Sequence, residues 1–159
     1  MAQWRVLPGF LSPRERVALN VVAKRESWRP GSKGAYEKLD LMGDVATTRL
    51  VRRALTALGG PDLFDAWLMR YPVGSEVPAH TDPSPPGLCH VRLYALALGC
   101  HGGLFYIDGE EVPLEDGDAV LFRADLMRHQ LTPVEKNARL VLSVGAHVDA
   151  EVARRAELA

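Results

Sequence analysis

Cysteine is scarce in this chain: Cys89 and Cys100 are the only two in 159 residues, and they form no CxxC pair. Free thiols in a cytoplasmic protein are the expectation. An excess of either charge is also missing. Nineteen Lys and Arg stand against 20 Asp and Glu, giving a formal net charge of −1 and a sequence pI near 6.5. No broad basic surface follows, so neither nucleic acid nor an anionic membrane is an expected partner. No apolar run approaches the about 18 residues of a membrane span. The opening MAQWRVLPGF lacks a charged segment followed by an apolar one, so no signal peptide is expected. Internal repeats, low-complexity segments and long charge runs are absent as well. What is present is a chain 47% hydrophobic and 25% charged, which suits one globular domain with its own core, spanning 1–159.

The pattern along the chain changes once. QWRVL (3–7) reads as a short strand, and LSPRERVALNVVAKRESW (11–28) as a helix. Ser12 is a good N-cap, Pro13 fits the first helical position, and Glu15 completes a capping box. Residues 29–41 read as loop-rich, ending as a strand. DVATTRLVRRALTALGG reads as a second helix, with Val45, Leu50, Val51, Ala54, Leu55 and Leu58 at helical spacing and Gly59 and Gly60 as its stop. After Pro61, short β-like runs alternate with Gly, Pro and Asp: FDAWLMRYPV, HVRLYALALG, GGLFYID, AVLF and ARLVLSVGAHV. Asp108-Gly109 is a hairpin signal. AEVARRAELA reads as a short terminal helix. The order predicts an α+β fold, with helical support over 1–62, a β core over 63–148 and a short helix over 149–159.

Within the β region, PAHTDPSPPG contains His80 and Asp82. On an extended segment, residues i and i+2 project to one face, so an imidazole and a carboxylate can grip one ion. His129, just beyond AVLF, is the best third ligand. Two histidines and a carboxylate leave several coordination positions open, the arrangement of non-haem Fe(II) oxygenases. Ten positions later, Arg139 stands on an otherwise apolar strand, where an unpaired charge is costly. Its two-pronged guanidinium suits a dicarboxylate co-substrate.

In these elements the stretch from about Arg70 to Val148 resembles the 2-oxoglutarate- and Fe(II)-dependent oxygenases, in particular the prolyl-4-hydroxylase-like branch. RYPVG, HTD, LALGCHGGLFYID, EDGDAVLF and HQLTPVEKNARLVLSV come in that family's order. The resemblance implies a double-stranded β-helix, or jelly-roll, with N-terminal helices packed on one side. It implies iron on His80, Asp82 and His129. It also implies 2-oxoglutarate on the iron, with its far carboxylate on Arg139 and help from Tyr71, and ascorbate as a reductant. The activity implied is hydroxylation of an unactivated C–H bond with O2, releasing succinate and CO2. The substrate would be a prolyl or other residue of a protein, a free amino acid or a small metabolite.

Some positions depart from the family. The place of a second co-substrate tyrosine is expected at Ala97, with Tyr94 nearby, and Val141 replaces a hydroxyl residue common in relatives. Asp82 argues against halogenation. Gly145 stands where nucleic-acid demethylases carry a second arginine. His90, His101 and His147 have no place in the pattern and are expected at the surface or on edge strands. Arg92, Tyr36 and Trp28 are the candidate substrate contacts, and Arg123 is placed with Arg92 near the mouth. Two other readings remain: a metal- or 2-oxoglutarate-binding sensor without turnover, and a cupin-type metalloenzyme, although cupins usually offer HxH plus glutamate.

Overall fold

The computed structural model describes residues 4–60, 62–99 and 102–158, and begins with strand β1 (Arg5–Leu7) and helix α1 (Pro13–Val22). The Ser12 hydroxyl accepts the Glu15 N–H at 3.2 Å, and the Glu15 carboxylate accepts the Ser12 N–H at 2.8 Å, so the capping box is complete. The helix stops at Val22, short of the expected 28. The Trp28 indole donates to the Ala23 carbonyl at 3.2 Å, which satisfies a terminal acceptor and folds the chain back towards β2 (Arg29–Pro30) and β3 (Glu37–Asp40).

A 3-10 turn over Val45–Thr47 leads into α2 (Thr48–Ala57). Asp44 caps that turn, accepting the Thr47 N–H at 2.9 Å. Gly59 and Gly60 then take φ values of 93° and 74°, and the Gly60 N–H donates back to the Leu55 carbonyl. Left-handed backbone here is what the paired glycines allow.

The strands that follow are β4 (Asp65–Tyr71), β5 (Val77–His80), β6 (Cys89–Leu98), β7 (Phe105–Ile107), β8 (Glu110–Glu111), β9 (Ala119–Arg123), β10 (His129–Leu131) and β11 (Arg139–Val148). Helix α3 (Ala150–Arg155) closes the chain. Asp108 and Gly109, at φ 50° and 81°, form the two-residue turn between β7 and β8.

Two antiparallel sheets result. Seven strands run in the order β1-β9-β6-β11-β4-β3-β2, and four in the order β5-β10-β7-β8. Alternation along the long central strands sorts the side chains. Leu140, Leu142, Val144, Ala146 and Val148 of β11 join an apolar cluster with Leu19 and Val22 of α1 and Leu50, Val51 and Ala54 of α2. Val141 belongs instead to a second cluster with Tyr94, Phe105, Ile107, Phe122 and Leu131, which draws on both sheets. The fold is thus mixed and strand-rich, with apolar packing on both faces of its larger sheet. No helix among the described residues is long and apolar enough to cross a membrane.

Candidate metal centre

His80 is the last residue of β5 and His129 the first of β10, and they lie directly opposite each other in the antiparallel ladder. Their ring centroids are 4.3 Å apart. Asp82 follows two residues after His80, its N–H fixed to the Ala124 carbonyl at 2.8 Å. Each histidine is oriented by the same device. The His80 Nδ1–H donates to the Pro78 carbonyl at 2.8 Å, and the His129 Nδ1–H to the Met127 carbonyl at 3.0 Å. Both Nε2 lone pairs are thereby left for a ligand-field bond. The His80 Nε2 is 3.5 Å from one oxygen of Asp82 and the His129 Nε2 is 3.8 Å from the other. One ligand atom from each residue falls within a 4.8 Å set. Two imidazole nitrogens and a carboxylate oxygen fit a divalent first-row ion and leave its remaining positions open.

The electrostatics keep the trio ready to bind. Burial alone would raise the Asp82 carboxyl. The adjacent His80 imidazole, the Lys33 ammonium and the Arg92 guanidinium outweigh it, holding the group far below the usual carboxylate range. Burial pushes the His129 imidazole down to about 4, so it is neutral near pH 7. Lys33, in the turn between β2 and β3, forms an ion pair with Asp82 Oδ1. The 29–41 stretch is therefore part of the wall of the site rather than a remote connection.

A cavity of about 610 Å³ opens over these three residues. Tyr71, Tyr94 and Tyr36 line it. Arg139, 2% exposed, lies on a smaller neighbouring cavity of about 160 Å³. Its Nε donates to the Tyr94 hydroxyl at 3.2 Å and its Nη1 to the Gly103 carbonyl at 2.8 Å. Tyr94 thus joins the arginine to the larger cavity. Tyr71 pairs with Arg139 across the ladder, stacks on Tyr36 at 5.0 Å, and its hydroxyl donates weakly to Met69 Sδ. Tyr94, and not Ala97, faces the cavity. Positions an odd number apart on a strand face opposite ways, and Ala97 packs on the helix side.

The other candidates divide. Tyr36 lines the cavity, whereas Trp28 is not among the described residues that do. The Arg70 guanidinium carbon lies over the Trp28 ring, 4.2 Å from the ring centroid. Arg123 is occupied by Asp125 at 2.8 and 2.9 Å. Arg92 does face the cavity, but protein groups surround its guanidinium: Asp65, Ser143 and His90. His90 and His147, expected at the periphery, are a cross-strand pair lining the cavity. His90 and Arg92 share the parity of Tyr94 on β6, and that alternation was the available signal. His101 lies outside the described residues.

Comparison with family models found no match, and comparison with curated proteins found none. Comparison with solved structures gave several extensive likenesses. The non-heme alpha ketoglutarate dependent epimerase SnoN from nogalamycin biosynthesis aligns at a TM-score of 0.74 and 17% identity, over 94% of this chain and 77% of that one. HygX from Streptomyces hygroscopicus, with nickel and 2-oxoglutarate bound, aligns at 0.74 and 12% identity, over 94% and 84%. A Pseudomonas putida prolyl-4-hydroxylase aligns at 0.66 and 21% identity, over 94% of each chain. The chain shares its fold with these three proteins.

Proposed function

We propose that the chain is a 2-oxoglutarate- and Fe(II)-dependent dioxygenase that hydroxylates an unactivated C–H bond. The observation that carries this reading is the convergence of His80, Asp82 and His129 with both imidazole Nε2 atoms unprotonated, beside a buried Arg139–Tyr94 pair. In this reading the two sheets form a double-stranded β-helix, the N-terminal helices pack on one side, and residues 1–159 are one catalytic domain.

His80, Asp82 and His129 would hold Fe(II). Arg139 would take the far carboxylate of 2-oxoglutarate in its fork, with the hydroxyls of Tyr94 and Tyr71 as neighbouring hydrogen-bond partners. The chemistry supplied by the bound pair is the reaction of O2 with 2-oxoglutarate and a C–H bond to give succinate, CO2 and a C–OH group. The chain's own contribution is positioning. Backbone carbonyls fix the two imidazole tautomers, and burial keeps His129 unprotonated. The aromatic wall formed by Tyr36, Tyr71, Phe105 and Phe122 limits water around the reacting atoms. The substrate would be a residue of a peptide or protein, a free amino acid or a small metabolite, entering past Tyr36 and Lys33. Ascorbate would serve as a reductant, and a cytoplasmic setting fits the thiol content.

The test has two parts. Anaerobic protein loaded with Fe(II) should develop a weak visible absorption on adding 2-oxoglutarate. With O2 and ascorbate it should then form succinate, and His80→Ala or Asp82→Ala should abolish this. Metal binding without any 2-oxoglutarate response would point to a cupin-like centre. A response without succinate across a substrate panel would point to a sensor.

A further inference from the structure

Arg92 is the most heavily engaged side chain beside the metal site, and its side chain is only 11% exposed. On β6 it stands opposite Gly145 of β11, and Asp65 of β4 stands opposite the same glycine from the other side. Arginine and aspartate therefore meet by reaching across a strand. Nη1 is 3.0 Å from Asp65 Oδ1 and Nη2 is 3.0 Å from Oδ2, a two-pronged pair. A Cβ at position 145 would lie 2.6 Å from Asp65 Oδ1 and 2.9 Å from Arg92 Nη2. Only glycine lets the pair close above β11.

The locked guanidinium then reaches the metal site by two routes. Its buried Nε has no hydrogen-bond partner among the described residues and faces Asp82 Oδ2 at 3.5 Å. Its Nη2 donates to His90 Nε2 at 3.0 Å, and the His90 Nδ1–H donates to the carbonyl of Pro83 at 3.1 Å. Pro83 is the residue after Asp82. One arginine thus faces the side chain of the ligand and, through an imidazole, ties down the backbone beside it. Nη1 also donates to the Ser143 hydroxyl at 2.8 Å, which leaves the fork little freedom.

We propose that Arg92 is a positioning residue of the metal centre: anchored by Asp65 across Gly145, it fixes the plane of the Asp82 carboxylate from the Oδ2 side, while Oδ1 is paired with Lys33 and lies 3.5 Å from His80 Nε2. The assignment rests on the reading of His80, Asp82 and His129 as metal ligands. It replaces the expectation of a free arginine that captures a substrate carboxylate.

Electrostatics and positioning make opposite predictions here. A cation 3.5 Å from a metal-binding carboxylate repels the incoming ion, so deleting it for charge alone would tighten binding. If Arg92 orients the ligand, deleting it weakens binding, by about ten- to a hundred-fold for the loss of a ligand's supporting partner. The experiment titrates Co(II) into the purified full chain and follows its visible ligand-field bands. Arg92→Gln and the double variant Asp65→Asn/Arg92→Gln, which leaves no unpaired buried carboxylate at 65, should both bind Co(II) more weakly and with altered band shape. Arg92→Lys should not rescue, because an ammonium cannot reproduce the fork. Gly145→Ala, which displaces the pair without removing a charge, should shift the bands in the same direction. Unchanged or tighter Co(II) binding by the double variant, with wild-type bands, overturns the proposal. Failure of the wild-type chain to bind Co(II) would instead overturn the metal-site reading itself.

Discussion

His80 and His129 each donate the Nδ1–H to the carbonyl two residues before, so local backbone geometry alone decides which nitrogen is left free to bind an ion. That is why the candidate site could be read residue by residue. His80 and Asp82 announced themselves by parity, and Arg139 by being a charge on an apolar strand. What the sequence hid was partnership. Asp65 and Arg92 are 27 positions apart, and His90 meets His147 only because β6 and β11 pair in one register. At this scale Arg139 provides a separable prediction. Arg139→Ala removes a charge-assisted fork and should weaken 2-oxoglutarate binding at least about tenfold, while Co(II) still binds with wild-type affinity. Parallel titrations of the metal and of 2-oxoglutarate into the metal-loaded protein would check it. Equal losses in both would mean that Arg139 supports the fold instead.

The elements differ in how plainly they could be read. β6 and β11 have ten residues each and are apolar and buried along most of their length, and both were evident. β5 and β10, which deliver the two histidines, have four and three residues. A pattern that short carries almost no periodicity, and Pro78 further disguises β5. The connection between β2 and β3 looked loose because it holds two glycines. Its glycines instead mark close packing. A Cβ on Gly34 would lie 2.3 Å from the Glu76 carbonyl oxygen, and one on Gly31 would lie 2.4 Å from the Tyr36 ring. Gly34→Ala should therefore push the turn off the segment leading into β5 and loosen the stacking of Tyr36 on Tyr71. We expect a loss of about 1–3 kcal/mol, the usual range for overpacking, measured by urea unfolding. An unchanged midpoint would show that the turn yields freely.

On the scale of the whole molecule, the larger sheet is packed on both faces, and the inter-sheet side is interrupted by a cavity that holds ionisable groups among aromatic ones. Holding ionisable groups there ties global stability to pH. Burial lowers the His129 imidazole from the usual 6.5 to about 4. His90 is also lowered, by burial and by the Arg92 charge. Between those pH values the unfolded chain binds more protons than the folded one, so stability rises with pH across the window and is lost as pH falls through it. The Asp82 carboxyl, depressed when folded, adds stability that disappears only below its unfolded value of 3.8. The metal-free protein should thus be less stable at pH 4.5 than at pH 7, by roughly 2–3 kcal/mol for His129 alone. Urea titrations at the two pH values would measure this, and His129→Gln should flatten the difference. A profile independent of pH over this range would contradict the burial of His129 as a neutral base.

The ladder that pairs His80 with His129 is irregular one step later, where Leu131 faces Val77. Side chains alternate with a period of two, so sliding β10 by a single residue would offer Gln130 in place of the imidazole. A chain assembled out of step could pack much of its apolar interior and still be unable to retain an ion. The candidate ion site therefore depends on the register of a single three-residue strand.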